Sequence, residues 1–430
     1  MSGLVPHRSA PYAQRPRPPD VRRAGWGVAI AATLGMSVSY IDRQTLAAIA
    51  PAVRTALAID HTEFGWLLSG FSMAYLVGAP AAGVVVDKLG ARRGFAVAVV
   101  VWSLVAGAHA FATSFAILFA LRVLLGAAEA PSFPAAAQAI RRSLPAARRS
   151  AAYGLLFTGS SLGAMVAAPL AIGLSARYGF RFAFVGTAVI GTIWIPFWLI
   201  MTRNGRIAPH AADPPDAAPS PPRGPAPGRW IDLASSPAVL RALVAVVGSA
   251  PAIMFVLNWT SQYLVERWLL ARTEIGGYLV VPPLLFDVGA VGFGLIASTR
   301  ERAREGAGAG KATHRDLLLC AAALASLLAL APLAPSPAFA MMAFGAAACG
   351  GGGIYVLVTA DMLARVPLER TSSAGGLTAA AQSLAHIVAS PLVGMAVDRT
   401  HGYGSALVFL GLAVIPTSLA FVLWRPSEKG

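Results

Sequence analysis

The chain alternates long apolar stretches with short, often basic segments. Twelve apolar stretches are each close to the roughly 20 residues that a helix needs to cross a bilayer. They cover residues 25–49, 62–86, 93–112, 115–138, 149–172, 181–202, 238–264, 274–298, 316–334, 338–362, 371–395 and 402–424. The pattern predicts an all-α integral membrane protein with twelve transmembrane helices, which are numbered here as spans 1 to 12.

One long polar break, residues 203–236, leaves six spans on each side. Its Pro-rich composition is typical of a linker. When the sequence is shifted by 222 residues, 12 of the 26 positions from Pro145 to Leu170 are identical to their counterparts in span 11. The chain is therefore expected to form two pseudo-symmetric six-helix bundles, which meet at a central site.

The expected domain organisation follows from this division. The segments are a disordered cytoplasmic tail rich in Pro and Arg, an N-terminal bundle, a cytoplasmic linker, a C-terminal bundle and a short cytoplasmic tail. Their boundaries are 1–23, 24–202, 203–236, 237–424 and 425–430.

Composition supports a membrane location, because 56% of residues are hydrophobic and only 12% are charged, against about 25% in soluble proteins. The net charge of +15 suggests a nucleic-acid partner at first sight. However, 25 of the 34 Lys and Arg residues fall on the side of the N-terminus and six fall in the opposite loops. This asymmetry is the positive-inside rule. It predicts that both termini are cytoplasmic. It also explains the net positive charge, so we expect the chain to lie in the lipid bilayer and to bind no nucleic acid.

Sulfur and metal chemistry contribute little to the prediction. The two cysteines, Cys320 and Cys349, both lie in apolar spans, which gives no disulfide framework and no metal cluster. Neither a metal-spaced set of ligands nor a nucleophile constellation is present. We therefore expect no cofactor, no metal and no enzymatic activity.

Four charged residues lie deep within apolar spans of the first half: Asp42 and Arg43 in span 1, and Arg122 and Glu129 in span 4. Each costs at least about 2.5–3.5 kcal/mol at the centre of a membrane helix, so such residues usually serve a function. An arginine can hold a carboxylate through two parallel hydrogen bonds at any relevant pH. Arg43 is the first candidate for a solute carboxylate, and a structural ion pair with Asp42 or Glu129 is its alternative. Arg122 is the second, and its alternative is to extend toward the headgroups.

Glu129 is the better candidate for carrying a proton, because a carboxylate removed from water binds a proton more readily. Its alternative is a permanent ion pair. Asp42 is a second candidate for carrying a proton. Neighbouring residues of a helix point about 100° apart, so if Arg43 faces the centre, Asp42 is expected to face the interior of the N-terminal bundle. Asp287, about halfway through span 8, is a third candidate, and a structural polar contact is its alternative.

Several uncharged or weakly basic side chains within the spans could contact the rest of a solute. They are Tyr75, Ser160, Ser161, Asn258, Gln262, Gln382 and His386. A single polar side chain in a bundle more often joins two helices, so each is a weak candidate alone. Ser160 and Gln382 occupy equivalent positions in the two repeats.

Between spans 2 and 3 the chain reads Gly83-Val-Val-Val-Asp87-Lys88-Leu89-Gly90-Ala91-Arg92-Arg93. A basic turn that fixes topology is the simplest interpretation. The full pattern resembles the loop 2–3 signature of the major facilitator superfamily. That resemblance implies a gating role for Gly83, Asp87, Gly90, Arg92 and Arg93, as a latch between transport states.

The resemblance covers most of residues 25–424 and sharpens toward the anion:cation symporter branch. It is carried by Tyr40-Ile-Asp42-Arg43, by Tyr75, by Arg122 to Glu129, and by Gly179-Phe-Arg181-Phe-Ala-Phe184. It implies a bacterial inner-membrane monomer that takes up an organic anion, such as a hexuronate or aldonate, together with protons by alternating access. A proton-coupled efflux antiporter is the main alternative, although span 5 lacks the Gly-Pro motif of drug antiporters. A membrane sensor that does not transport is another.

Four consecutive glycines, Gly350 to Gly353, interrupt span 10. Each weakens a helix by about 1 kcal/mol relative to alanine. Two hypotheses explain them equally well: a bend used in gating, or close packing against other helices.

Overall fold

A computed structural model describes residues 19–203, 207, 230–306, 313–367 and 370–424. Most of the predicted N-terminal tail and linker, and the C-terminal tail 425–430, lie outside these residues. The first half contains α1 Pro19–Ala48, α2 Ala50–Leu57, α3 His61–Leu89, α4 Ala91–Ala108, α5 Phe115–Glu129, α6 Ser132–Ser143, α7 Ala146–Tyr178 and α8 Phe180–Met201. The second half contains α9 Trp230–Ala234, α10 Pro237–Asn258, α11 Thr260–Trp268, α12 Val281–Gly306, α13 Arg315–Ser326, α14 Pro337–Arg365, α15 Thr371–Thr400 and α16 Gly404–Leu423.

Ten stretches of the described chain are long and apolar enough to cross a membrane, and α3 adds an eleventh when its two parts are counted as one span. Helix α1, which carries Asp42 and Arg43 in its second half, is the twelfth. Together these helices agree with the twelve predicted spans. Three spans are made of two consecutive helices: α1 with α2, α5 with α6, and α10 with α11. Pro131 lies at the break between α5 and α6, where its missing N–H cannot continue the helical ladder.

The helices pack as two bundles, α1 to α8 and α10 to α16. Aromatic rings fill the core of the first bundle, where Phe95 packs edge-on against Trp194 and Trp198. In the second bundle, Tyr263 lies beside Phe344 and Tyr403. Between the bundles, α3 packs along α15 and α7 packs against α12.

The four glycines of α14 lie where that helix crosses three others. A methyl group added at Gly350 would meet the backbone of α13, and one at Gly352 would meet the carbonyl oxygen of Phe286 in α12. Gly351 faces the side chain of Ile253, and Gly353 faces the ring of Phe293. Because α14 continues through these glycines as one helix, the structure favours the packing hypothesis over the bend.

Replacing Gly352 by alanine should therefore destabilise the protein by about 1–3 kcal/mol, the usual cost of overpacking. Gly376→Ala is the matched control, since an added methyl there meets no described atom within 4 Å. Thermal unfolding of the purified variants in detergent should show a lower midpoint for Gly352→Ala and no loss for Gly376→Ala. Equal midpoints in the two variants would contradict the packing role.

The bundles touch at one end of the molecule and separate at the other. On α3, Gly65 lies against the backbone of Ser390, and on α15, Gly394 lies against the backbone of His61. At the opposite ends of the same two helices, no described atom lies within 4 Å of a methyl group added at Gly83 or Gly376. The two ends are called here the closed end and the open end.

A group of polar side chains joins the bundles at the closed end. His61 Nδ1 lies 2.7 Å from Asp398 Oδ1, and His61 Nε2 lies 2.8 Å from Glu266 Oε2. Glu266 also accepts hydrogen bonds from Arg54 Nη1 at 2.5 Å and from the Tyr403 hydroxyl at 2.7 Å. These five residues are called the closed-end cluster. They pair α2 and α3 of the first bundle with α11, α15 and the start of α16 in the second.

Candidate solute-binding site

A cavity of about 210 Å³ lies between the bundles. It is large enough to hold several water molecules or a small solute. Seven of the nine residues predicted to contact a solute line this cavity. They are Arg43, Arg122, Ser160, Ser161, Asn258, Gln382 and His386.

The other two predicted contact residues lie elsewhere. The Tyr75 ring stacks on Phe71, with 6.0 Å between centroids, behind the cavity wall. Gln262 is placed on α11, beyond the break at Trp259, and its Oε1 accepts a hydrogen bond from Arg54 Nη1 at 2.8 Å. Gln262 therefore belongs beside the closed-end cluster and not with the cavity-lining residues.

Arg43 combines the two roles that the sequence left open. It lines the cavity, and its Nη2 donates to Glu129 Oε2 at 3.0 Å. The Ser39 hydroxyl donates to the same carboxylate oxygen at 2.7 Å. Glu129 is fully buried, and its Oε1 has no hydrogen-bond partner in the described part of the chain. The ion pair thus holds Arg43 at the edge of the cavity through a single carboxylate oxygen.

Arg122 lies on the same wall without an acidic partner among the described residues. It is 2% exposed, and its Nε and Nη1 atoms are buried without hydrogen-bond partners. Its guanidinium carbon lies 4.8 Å from the centroid of the Phe71 ring, and that of Arg43 lies 4.6 Å from the same centroid. Phe71 therefore keeps two cations beside the cavity, since an aromatic face attracts positive charge.

Asp42 faces the interior of the first bundle, as the helical spacing predicts. Its side chain is buried, and it lies close enough to interact with Trp102, Thr187 and the acid Glu129. Neither carboxylate oxygen has a hydrogen bond of acceptable geometry within the described residues. A buried carboxylate in this position is costly unless it binds a proton.

Asp287 is held by a hydrogen bond across the bundles. The hydroxyl of Ser161 on α7 donates to Asp287 Oδ1 on α12 at 2.7 Å. This contact agrees with the structural alternative for Asp287, and it places a carboxylate next to the cavity-lining Phe286.

On the opposite wall, His386 and Asn258 are oriented by backbone carbonyls. His386 Nε2 lies 3.1 Å from the oxygen of Ala250, and Asn258 Nδ2 donates to the oxygen of Met254 at 3.0 Å. Both residues line the cavity with their remaining polar atoms available.

The loop that resembles the superfamily signature connects helices of the first bundle. Asp87 Oδ1 accepts a hydrogen bond from Gln138 Nε2 of α6 at 2.6 Å, and Arg92 Nε donates to the Thr202 hydroxyl at 3.1 Å. Gly90 has φ of +75°, a conformation that favours glycine. Arg93 is exposed and Gly83 has open space around it. Gating by these residues remains a prediction.

The sequence did not single out Ser39 and Phe71 as site residues, although both contact the charged groups. Helical spacing offered a signal for each. Ser39 precedes Arg43 by four residues, and Phe71 precedes Tyr75 by four, so each pair shares a helix face. Among the described residues, no group of three His, Cys, Asp or Glu side chains could hold a metal ion.

Comparison with known proteins supports the class of the fold. The family model of the Major Facilitator Superfamily matches residues 32–390. The chain belongs to that superfamily, and its predicted fold of twelve helices in two bundles is confirmed. Two crystal structures of a bacterial homologue of the human lysosomal transporter Spinster, both inward-facing, share the fold. The occupied form has a TM-score of 0.69 at 16% identity, covering 92% of this chain and 93% of that chain. The unoccupied form has a TM-score of 0.71 at 17% identity, covering 93% and 94%.

Named relatives carry sugar acids. The chain is 36% identical over 188 residues to the hexuronate transporter of Escherichia coli K12, an alignment that spans 44% of each chain. It is 26% identical to the hexuronate transporter of Bacillus subtilis 168, covering 90% of this chain and 91% of that protein. It is 24% identical to the "Probable galactarate/D-glucarate transporter GudP" of the same organism, covering 93% and 91%. These relatives are transporters, in agreement with the expectation that the chain is not an enzyme.

Proposed function

We propose that this protein is a secondary active transporter that takes up a sugar acid together with protons. The observation that carries the proposal is the state of the two arginines at the cavity. Arg43 is neutralised by Glu129, whereas Arg122 lines the same cavity with two buried nitrogens that have no partner among the described residues. A carboxylate that entered the cavity would meet one free cation and a second that can be released.

Proton binding to Glu129 is the step that releases the second cation. The protonated acid no longer attracts Arg43 as an anion, and the guanidinium can turn to the cavity. A solute carboxylate then replaces Glu129 as the partner of Arg43 and pairs with Arg122 as well. Two charge-assisted hydrogen bonds from each guanidinium would hold it. The proton and the anion thus occupy the site together.

The number of protons decides which gradient drives accumulation. One proton carried with a monoanion moves no net charge and uses only the pH gradient. A second proton, for which Asp42 is the candidate because its carboxylate oxygens have no hydrogen bond of acceptable geometry within the described residues, would add about 2.3 kcal/mol per 100 mV of membrane potential. This energy corresponds to a more than tenfold increase in the ratio of internal to external solute concentration. Asp287, already bonded to Ser161, is a weaker candidate.

The distribution of Lys and Arg supports an orientation in the bacterial inner membrane with cytoplasmic termini. In that orientation the closed end faces outward, and the open end faces the cytoplasm. The structure then corresponds to an inward-facing state of alternating access, reached by rocking of the two bundles around the cavity. The site lies within one chain, so we propose a functional monomer.

Uptake into proteoliposomes tests the proposal. Vesicles that contain the purified protein and are alkaline inside should accumulate labelled D-glucuronate above the external concentration, and a protonophore should abolish this. Protein-free vesicles are the control. Accumulation that ignores the protonophore would contradict proton coupling, and accumulation only with an acidic lumen would favour the efflux antiporter.

A further inference from the structure

The two walls of the cavity differ in charge. The wall formed by the first bundle carries Arg43 and Arg122. Among the described residues, those that line the cavity from α10, α12 and α15 are apolar or carry neutral amide, hydroxyl or imidazole groups. Positive charge able to hold a carboxylate is therefore confined to one side of the cavity.

The opposite wall offers hydrogen-bond acceptors. A ring nitrogen that lies 3.1 Å from the Ala250 carbonyl oxygen must carry the proton, so His386 Nε2 is the donor and Nδ1 of the neutral ring is an acceptor. Asn258 donates one amide N–H to the Met254 oxygen, so its Oδ1 can accept a hydrogen bond from a solute and its second N–H can donate one. Sugar hydroxyl groups can donate to both atoms, whereas an ionised carboxylate only accepts.

Asp287 adds negative charge on the same side. It directly follows the cavity-lining Phe286 and accepts from Ser161. A second carboxylate placed at this wall would lose its water, find only neutral donors such as the second N–H of Asn258, meet no cation and approach the Asp287 carboxylate. The hydroxyl groups of a solute with one carboxylate can both donate to and accept from the neutral groups of this wall.

We infer that the site selects monocarboxylate sugar acids, the hexuronates and aldonates, over the dicarboxylate aldarates, and that His386 and Asn258 determine this selectivity. The inference rests on the proposed function and narrows its substrate class.

Competition against labelled D-glucuronate uptake tests the selectivity. We expect D-gluconate and D-galacturonate to compete well. D-glucarate and galactarate should require concentrations about tenfold higher or more for the same inhibition. The reason is that one charge without a partner of opposite sign lowers the affinity by at least about tenfold. Equal competition by the aldarates would overturn the selectivity and leave the proposed function intact. Failure of every sugar acid to be taken up would overturn the proposed function itself.

Variants at the second wall make the test specific. His386→Arg should bring D-glucarate to within about threefold of D-glucuronate, because it supplies a cation for the second carboxylate. His386→Gln, which keeps a neutral acceptor, is the matched control and should retain the preference. Asn258→Arg repeats the test from α10 if His386→Arg does not fold. An unchanged preference in both arginine variants would overturn the assignment of these two residues.

The closed-end cluster carries a second inference, from a different observation. Both ring nitrogens of His61 lie within 2.8 Å of carboxylate oxygens, those of Asp398 and Glu266. Because an ionised carboxylate only accepts hydrogen bonds, each nitrogen must donate, so the ring is the protonated cation. The acids come from α15 and α11 of the second bundle, so the charge on His61 joins the two bundles.

Other charged groups face His61 as well. Arg54 Nη2 lies 3.1 Å from His61 Nδ1, a like-charge contact that the two acids offset. The Tyr403 hydroxyl donates to Glu266, and the Thr62 hydroxyl donates to Asp398 at 2.6 Å. Burial raises the pKa of Glu266, but hydrogen bonds from His61 and Tyr403 outweigh this and hold that pKa below its usual value. Glu266 therefore stays ionised at neutral pH.

We propose that His61 fastens the closed end by donating one hydrogen bond to Asp398 and one to Glu266 of the second bundle. A neutral side chain at this position carries no positive charge and cannot attract both acids, so it should leave the bundles less firmly joined. Glu266 has a depressed pKa, so its contribution is present at neutral pH and disappears only at strongly acidic pH.

Spin labels test this directly. Labels at Thr113→Cys and Thr273→Cys, exposed loop positions in the two halves, in a chain without Cys320 and Cys349, report the distance across the closed end. We expect the short distance to dominate when His61 and Glu266 are both present. His61→Gln and Glu266→Gln should each shift the population toward the long distance. His401→Asn, at an exposed histidine at the end of α15, is the control and should keep the short distance. A short distance that dominates equally in His61→Gln would overturn the proposal.

Discussion

Glu129→Gln is expected to abolish accumulation of the sugar acid against its gradient while preserving exchange of labelled for unlabelled solute across the membrane. Glutamine has nearly the shape of protonated glutamate, so Arg43 stays free and the carboxylate still binds. The side chain can no longer take up or release a proton, so the pH gradient loses its connection to the solute. Uptake driven by the gradient and counterflow, measured in the same proteoliposomes, separate these two effects.

Glu63→Gln is the matched control for this variant. Glu63 belongs to the capping box at the start of α3, where its side chain accepts from the backbone of Asp60, and glutamine is equally suited to that position. Its transport should remain driven by the gradient. Uphill uptake by Glu129→Gln would show that another group carries the proton.

Arg122→Gln should weaken binding of the sugar acid by at least about thirtyfold. Removing one partner of a buried, hydrogen-bonded charge pair costs about 2–5 kcal/mol, and each 1.4 kcal/mol is a factor of ten. Because no acidic side chain is described beside Arg122, its loss should leave the fold intact. Calorimetric titration of the purified protein with D-glucuronate measures the change in Kd.

Two further variants show whether the affinity for the sugar acid depends on the positive charge of Arg122 or on the geometry of its guanidinium group. Arg122→Lys keeps the charge but not the planar pair of donors, so its affinity should lie between those of the wild type and Arg122→Gln. Arg177→Gln, at an exposed arginine near the end of α7, should bind like the wild type. Unaltered affinity in Arg122→Gln would assign Arg122 a structural role.

The sequence identified the charged centre of the site because charge in a membrane helix is costly and therefore visible. Arg43, Arg122 and Glu129 stand out against apolar neighbours for that reason. Their pairing could not be predicted, since Arg43 and Glu129 are 86 residues apart in the chain and either Asp42 or Glu129 could have held Arg43. The packing of the helices shows that Glu129 does so and that Arg122 has no acidic partner among the described residues.

Features formed by residues that are common at their positions in a membrane protein were harder to predict from the sequence. His61, Glu266 and Asp398 lie near the ends of spans, where charged residues are common, so nothing in the sequence distinguishes them from solvated loop residues. Gln262 appeared to lie within a span, but the break at Trp259 places it at the closed end. The glycines of α14 were recognised as unusual, and the choice between bending and packing required their neighbours in space.

The central claim is that binding of the solute carboxylate requires a proton on Glu129. The most direct test adds D-glucuronate to purified protein in weakly buffered, mildly alkaline solution and measures the protons withdrawn from the solvent per solute bound. The wild type should withdraw protons, and Glu129→Gln should bind the same solute while withdrawing one fewer. Equal proton uptake by the two proteins would contradict the exchange of the Glu129 carboxylate for that of the solute.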